Sequence, residues 1–501
     1  MPFENRVRFV CLASLVLSTA ILVACNQASN PGSSTAAAAN GGKIPITTKS
    51  DEARNEFLEG RSLSEKLLAQ DSLQHFDKAI ALDPEFASAE LARANASPTA
   101  KDFFLHLNKA VALADHASDG EKLLILANQA GANGDVQKQK EYWEKLVAAY
   151  PNDERAHFNL GGYYFGQQQL TEAVAEYKKA TVLAPDYSAA YNILGYAYRQ
   201  QGDYSSAEQA FKKYIDLIPN DPNPYDSYAE LLLKMGRFDD SIEQYRKALS
   251  IDSHFVPSHF GISADLTYQG KPAQAEAELQ KLADEARNDG ELRTAYFGMA
   301  VVASDSGKFD QAMQAMNKEY AVAEKKNDSA SLAADLQAMG NIQAAALKFD
   351  DAQQRFDRSL QLIQGSSLSQ EIKDNATRQH HFNLAMLSIG KRDFAAAKTH
   401  AEEFRQSAEA SGNSVQVKLT HELAGTLALA QKDYDQAIAE LQQASQQNPQ
   451  NLYRLCQAYQ AKGDNEKAHD YCSQAAEFNS LPQLNYAFIR NKAHKVAGKK
   501  A

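Results

Sequence analysis

The sequence predicts an all-α protein, a solenoid of stacked helix hairpins. Three observations carry that expectation. First, small and aromatic residues recur at a period of thirty-four. Gly161, Ala173, Tyr177, Ala180 and Pro185 return as Gly195, Ala207, Phe211, Tyr214 and Pro219, then as Ala229, Ser241, Tyr245, Ala248 and Ser253. Second, apolar residues within each period fall at helical spacing on two segments of about a dozen residues. Third, a helix stop separates the two segments, as in Gly202-Asp203 and Gly236-Arg237. One hairpin cannot bury its own apolar face, so neighbours must stack. The 501 residues are 44% hydrophobic and 23% charged, ordinary for a folded chain. Gly and Pro number only 25 and 14, which excludes a collagen-like or largely disordered protein. The net charge of −11 argues against nucleic acid or an anionic membrane surface as the main partner. Four Cys are too few for a disulfide scaffold.

Residues 1–24 read as a signal peptide. Arg6 and Arg8 precede an apolar run from Phe9 to Ile21, too short to span a bilayer comfortably, and the run ends in Leu22-Val23-Ala24-Cys25. That ending resembles a bacterial lipoprotein signal. The resemblance implies lipidation of Cys25 after cleavage at small Ala24; an ordinary secretory signal with a chance Cys is the alternative. Asn26 leans toward the outer membrane. The removed segment carries a net +1, so the remaining chain carries −12. Residues 25–49 are rich in Ser, Ala, Asn and Gly and read as a flexible linker below the anchor, with a reach on the order of 25–30 Å as a coil.

Residues 50–284 are expected to form an N-terminal repeat array and residues 285–480 a C-terminal array with longer helices, with a hinge near 283–290. Gly60, Ser72, Phe76, Ala79 and Pro84 begin the series, and Gly425, Ala437, Leu441, Ala444 and Pro449 form a strong late unit. Gly261, Gly270 and Ala275, and then Gly298, Gly307 and Ala312, suggest a two-residue insertion in the turn. The pattern resembles the tetratricopeptide repeat over roughly 430 residues, about twelve units by arithmetic. The resemblance implies a right-handed superhelix and a concave groove lined by the first helix of each unit. On that resemblance, positions facing the groove include Arg155, Phe158 and Phe165, then Asn192, Tyr196 and Arg199, then Asp226 and Glu230. Aromatic and Arg side chains are common anchors for peptides. The chaperone-tail clamp of this family uses Lys and Asn at the fifth and ninth positions; Phe158 and Gly162 stand there, so a two-carboxylate clamp is not expected at this place.

Residues 481–501 read as a capping helix with a basic tail, Ser480 as N-cap, and Arg490, Lys492, Lys495, Lys499 and Lys500 outside. Cys456 and Cys472 occupy the first small position and the aromatic position of one hairpin, which face each other. An exported chain would allow a disulfide there; two buried thiols are the alternative. No phosphate-binding loop, nucleophile elbow or zinc-hydrolase motif is present, so no enzyme activity, cofactor or metal is expected. His380 and His381 are adjacent and point about 100° apart on a helix, poorly placed to share one ion. His254 and His259 straddle Pro257 and carry no stronger metal signal. The expected function is a membrane-anchored protein-interaction scaffold in the bacterial cell envelope, facing the periplasm and serving assembly of envelope machinery. The alternative is a regulatory or sensor module that binds a signalling partner through the same groove.

Overall fold

A computed structural model describes residues 42–66, 68–97, 100–368 and 370–498. The expected signal peptide, Cys25, most of the linker, and Lys499 and Lys500 lie outside the described residues. Twelve helix hairpins follow one another among the described residues. The chain divides into two compact units, the first ending at Pro224 and the second beginning at Tyr225. Unit 1 contains α1 (Asp51–Glu65), α2 (Ala69–Leu82), α3 (Ala87–Asn95), α4 (Ala100–Leu113), α5 (Asp119–Ala132), α6 (Val136–Ala149), α7 (Glu154–Gly166), α8 (Leu170–Leu183), α9 (Ser188–Gln201) and α10 (Tyr204–Leu217). Helix α11 (Pro222–Lys234) straddles the division. Unit 2 continues with α12 (Phe238–Ile251), α13 (Val256–Tyr268), α14 (Pro272–Asp284), α15 (Asp289–Asp305), α16 (Phe309–Lys325), α17 (Ser329–Ala345), α18 (Phe349–Gln364), α19 (Gln370–Lys391) and α20 (Phe394–Ala410). It ends with α21 (Ser414–Ala430), α22 (Tyr434–Gln443), α23 (Pro449–Lys462), α24 (Asn465–Ala476), α25 (Leu484–Ala487) and α26 (Arg490–Val496).

The hairpin rests on one close approach and one turn. The small residue on the first helix leaves room for a ring or large side chain sixteen residues later. A Cβ on Gly195 would stand 2.7 Å from Phe211, and one on Gly340 2.4 Å from Phe356, so both positions exclude even alanine without rearrangement. Seven residues after the small position the backbone turns left-handed. Gly134, Gly202, Gly236, Gly270, Gly307 and Gly463 take this conformation, and Gln168, Leu347, Arg392 and Lys432 take it in the other hairpins from α5 onward. Glycine adopts positive φ without a Cβ penalty, whereas Leu347 at φ 61° does not.

This rule corrects the expected insertion in the turn. Ser263 and Ala300, not Gly261 and Gly298, take the small position, each seven residues before its turn glycine, and both are fully buried. The turns keep their length and the helices grow instead: α15–α21 run 16–22 residues, against 9–15 in α1–α14. Nor is there a break in the core near 283–290, where Val256, Leu282 and Ala295 pack together across α13, α14 and α15.

Two segments differ from the expectation. The linker was expected to reach residue 49, but residues 43–49 run extended against unit 1 and hydrogen-bond to its helices. The capping helix is two short helices, α25, which packs on α15, α17 and α23, and α26, which packs on α24. Arg490 is buried, not outside, because Asp305 at the end of α15 meets it in a two-pronged ion pair at 2.7 and 2.6 Å. Leu484 and Ala487 join a core with Val301, Met339 and Ile342, and Asn491 donates to the Asp305 carbonyl at 2.6 Å.

Candidate functional site

In unit 1 the first helices present a row of acids along their N-terminal ends, and an extended stretch of the chain lies across it. Asp83 precedes α3, Glu121 sits in the first turn of α5 and Asp153 caps α7. Asp83 is held by the Glu85 N–H in the connection between α2 and α3, and the other two by the helices they begin. Glu121 closes a capping box with Ser118, and Asp153 accepts from the backbone N–H groups of Arg155 and Ala156 at 2.9 Å. Their remaining acceptor capacity goes to residues 44–49. The Ile44 N–H donates to Asp153 at 2.9 Å, the Thr47 N–H to Glu121 at 3.0 Å, and the Lys49 N–H to Asp83 at 3.0 Å. Thr48 adds its hydroxyl to Asp83 at 2.5 Å, and Arg54 donates to the Ile46 carbonyl at 2.8 Å. Lys43 pairs with Glu154, and Lys49 with Glu85. Burial raises the Asp83 carboxyl, but the Thr48 hydroxyl and the N–H groups of Lys49 and Glu85 outweigh it, and the net shift is downward. Backbone donors met by carboxylates bind main chain and leave side-chain identity loosely specified.

The groove residues expected from the sequence divide in two. In unit 1, Arg155 is half-buried: it grips Glu65 of α1 at 2.8 Å and lies over the Tyr187 ring at 5.2 Å. Burial opposes the charge of Arg155, yet the Glu65 hydrogen bonds outweigh it and raise its pKa. Phe158 packs between Tyr177 and Tyr187, ring centroids 5.7 and 5.3 Å away. Phe165 and Arg199 remain half-exposed, and the Arg199 guanidinium stacks 4.6 Å over Tyr196. Asn192 and Tyr196 are buried and so do not face a ligand as expected: the Asn192 amide reaches Asn223 at 3.4 Å, and Tyr196 meets the Phe211 ring edge-on at 5.2 Å. In unit 2, Asp226 is also buried, accepting from the Ser258 hydroxyl of α13 at 2.7 Å, while Glu230 is half-exposed. Asn192 and Asp226 are covered by the first helix of the next hairpin, whereas Tyr196 is covered by the second helix of its own.

Cys456 on α23 and Cys472 on α24 face each other with Cα atoms 5.1 Å apart, within disulfide reach, and their sulfurs are placed as a disulfide. His254 hydrogen-bonds its neighbour Ser253 at 3.2 Å, whereas His259 turns inward to Glu278 at 2.6 Å, so the two do not converge. His380 and His381 also diverge: His380 reaches Asp357 at 3.2 Å, and His381 turns to α20. No helix among the described residues is long and apolar enough to cross a membrane.

Profiles described as tetratricopeptide repeat match residues 126–188, 164–222, 223–255 and 428–484. The chain is similar to the mouse protein O-mannosyl-transferase TMTC3, with 28% identity over 147 residues, or 26% of this chain and 15% of that one. The human protein of the same name is 24% identical over 188 residues, 34% of this chain and 20% of that one. A 65-residue stretch is 32% identical to mouse DnaJ homolog subfamily C member 7, covering 13% of each chain. This chain thus spans a fifth or less of the length of these curated relatives. Among solved structures, a tetratricopeptide repeat protein from Parabacteroides merdae is 18% identical, covering 52% of this chain and 98% of that chain, with a TM-score of 0.37. Pseudomonas aeruginosa pilF is also 18% identical, covering 44% and 90%, with a TM-score of 0.30.

Proposed function

We propose that this tetratricopeptide repeat protein is a scaffold that holds partner proteins through extended segments laid across the first helices of unit 1, in the bacterial cell envelope. The observation that carries the binding mode is the capture of residues 44–49 by Asp153, Glu121 and Asp83 through main-chain N–H groups. That arrangement reads a peptide backbone at the N-terminal ends of the first helices, and the half-exposed Phe165 lies toward the other end of α7. Assembly of envelope machinery is the role we assign to the scaffold.

The envelope address rests on the Leu22-Val23-Ala24-Cys25 ending and is supported by the Cys456–Cys472 pair, since an oxidising compartment sustains such a bridge. Asn26 favours the outer membrane, facing the periplasm. A photo-crosslinking residue at Phe165 or Arg199, followed by identification of trapped chains, tests the scaffold in cells. The expected product is a defined heterologous adduct; recovery of the protein alone at native abundance speaks against it. Cys25→Ala should move the protein to the soluble fraction or stall its processing, and unchanged membrane retention would remove the lipid anchor from the account. Thiol labelling of denatured, unreduced protein should find Cys456 and Cys472 blocked.

A further inference from the structure

Four hairpins share a polar rung. A residue four before the small position on the first helix faces the residue nineteen further along, on the second helix, as a histidine–glutamate pair. Glu56 meets His75 at 2.9 Å, His157 meets Glu176 at 2.5 Å, His259 meets Glu278 at 2.6 Å and His421 meets Glu440 at 2.7 Å, each through Nδ1. In the α19–α20 hairpin the rung is altered. His381 has the first-helix place, but its partner nineteen residues on is His400, and the two Nδ1 atoms lie 3.5 Å apart. The carboxylate comes from Glu403, one turn further along α20. Its Oε2 is 2.8 Å from His381 Nδ1 and 3.1 Å from His400 Nδ1.

We propose that His381, His400 and Glu403 form a binding site for a zinc-class divalent cation. Three single donor atoms from two packed helices converge within 4.8 Å of one another. A tetrahedral zinc centre with bonds of about 2.0–2.1 Å has ligand–ligand edges of roughly 3.3 Å, and the three separations here, 2.8, 3.1 and 3.5 Å, bracket that edge. Two imidazoles and one carboxylate suit this metal, and a water or a partner's side chain completes the fourth position. Both His residues are half-buried and Glu403 is exposed, so the open position faces solvent. Arg405 is committed to Glu402 and Glu409, so it does not neutralise Glu403. The ordinary rungs supply two donors, whereas here His400 stands in place of the acid and Glu403 supplies the third.

The test is a zinc titration of the full chain without an affinity tag, in competition with a chromogenic chelator. One ion per chain is expected, with affinity at least about tenfold weaker in His381→Gln and in His400→Gln. His400→Glu, which restores the common rung, should fold normally and also bind zinc more weakly. His421→Gln removes an ordinary rung and should leave binding unchanged. In the unaltered protein, zinc should protect His381 and His400, but not His421, from carbethoxylation read by mass spectrometry. Absence of zinc binding, equal binding by the wild type and the His381→Gln/His400→Gln pair, or equal protection at His421 would overturn the site.

Discussion

The arm at residues 43–49 and the segment from Phe478 to Ala497 each lie across helices of their own unit, but the contacts differ in kind. The arm donates partly buried hydrogen bonds to the Asp83, Glu121 and Asp153 carboxylates, with Ile44 and Ile46 packing against neighbouring cores. The C-terminal segment carries a buried ion pair, Arg490 with Asp305, and side chains built into two apolar cores. Hydrogen bonds exchanged with water contribute about 1 kcal/mol each, whereas an uncompensated buried charge costs several. On the proposed binding mode the arm is the occupant a partner segment replaces, whereas the C-terminal segment belongs to the fold of unit 2.

The largest test of this contrast is Arg490→Ala, which leaves Asp305 buried and unpaired. It should lower the stability of unit 2 by about 3–5 kcal/mol in chemical denaturation; a change under about 1 kcal/mol would make the C-terminal segment as detachable as the arm. Asp265, another buried carboxylate of unit 2, sharpens the point because burial outweighs the one group that favours its charge, the Ser241 side chain. Burial pushes its carboxyl up to about 8. A raised acid pKa leaves stability complete below the ordinary carboxylate range and lost progressively as pH climbs toward 8. Asp265→Asn should flatten that decline and gain about 2 kcal/mol at pH 8, measured by denaturation across pH.

In unit 1, Asp83→Ala should cost about 1–2 kcal/mol and raise hydrogen exchange at Thr48 and Lys49 without altering exchange at Leu484 or Ala487. The depressed Asp83 pKa gives the sign of the pH effect. The contact contributes fully above the ordinary carboxylate range and fades as pH falls below it. The smallest effect belongs to a turn: Leu347→Gly, at φ 61° and exposed, should stabilise unit 2 by about 0.5–1 kcal/mol in thermal melts.

Residues 154–253 were plainly readable, because Gly161, Gly195 and Ala229 and their partners Tyr177, Phe211 and Tyr245 sit at an unbroken interval. The juxtaposition of Cys456 and Cys472 followed from the same frame. Ser263 and Ala300 were missed because a glycine stands two residues earlier in each hairpin, and a small polar residue serves the close approach as well as glycine does. The groove was less legible. Position along a first helix says which way Asn192 or Asp226 points, but not that Asn223 or Ser258 of a later element covers it. Arg490 read as a solvated charge because its partner, Asp305, lies 185 residues away in sequence. The group around His381 needed helix pairing to bring His400 beside it.

The uniform turn has a consequence for how unit 2 accommodates change. With the left-handed residue seven positions past the close approach in each hairpin from α5–α6 to α23–α24, the inter-helix corner is the aligned edge of these hairpins. Extra length in α15–α21 then emerges at the opposite margin, where one hairpin hands over to the next. That margin can gain or shed whole helical turns while the corner stays in register. Sequence drift in length should therefore gather in segments such as 284–289 and 364–370, and spare corners such as 305–309 and 391–394.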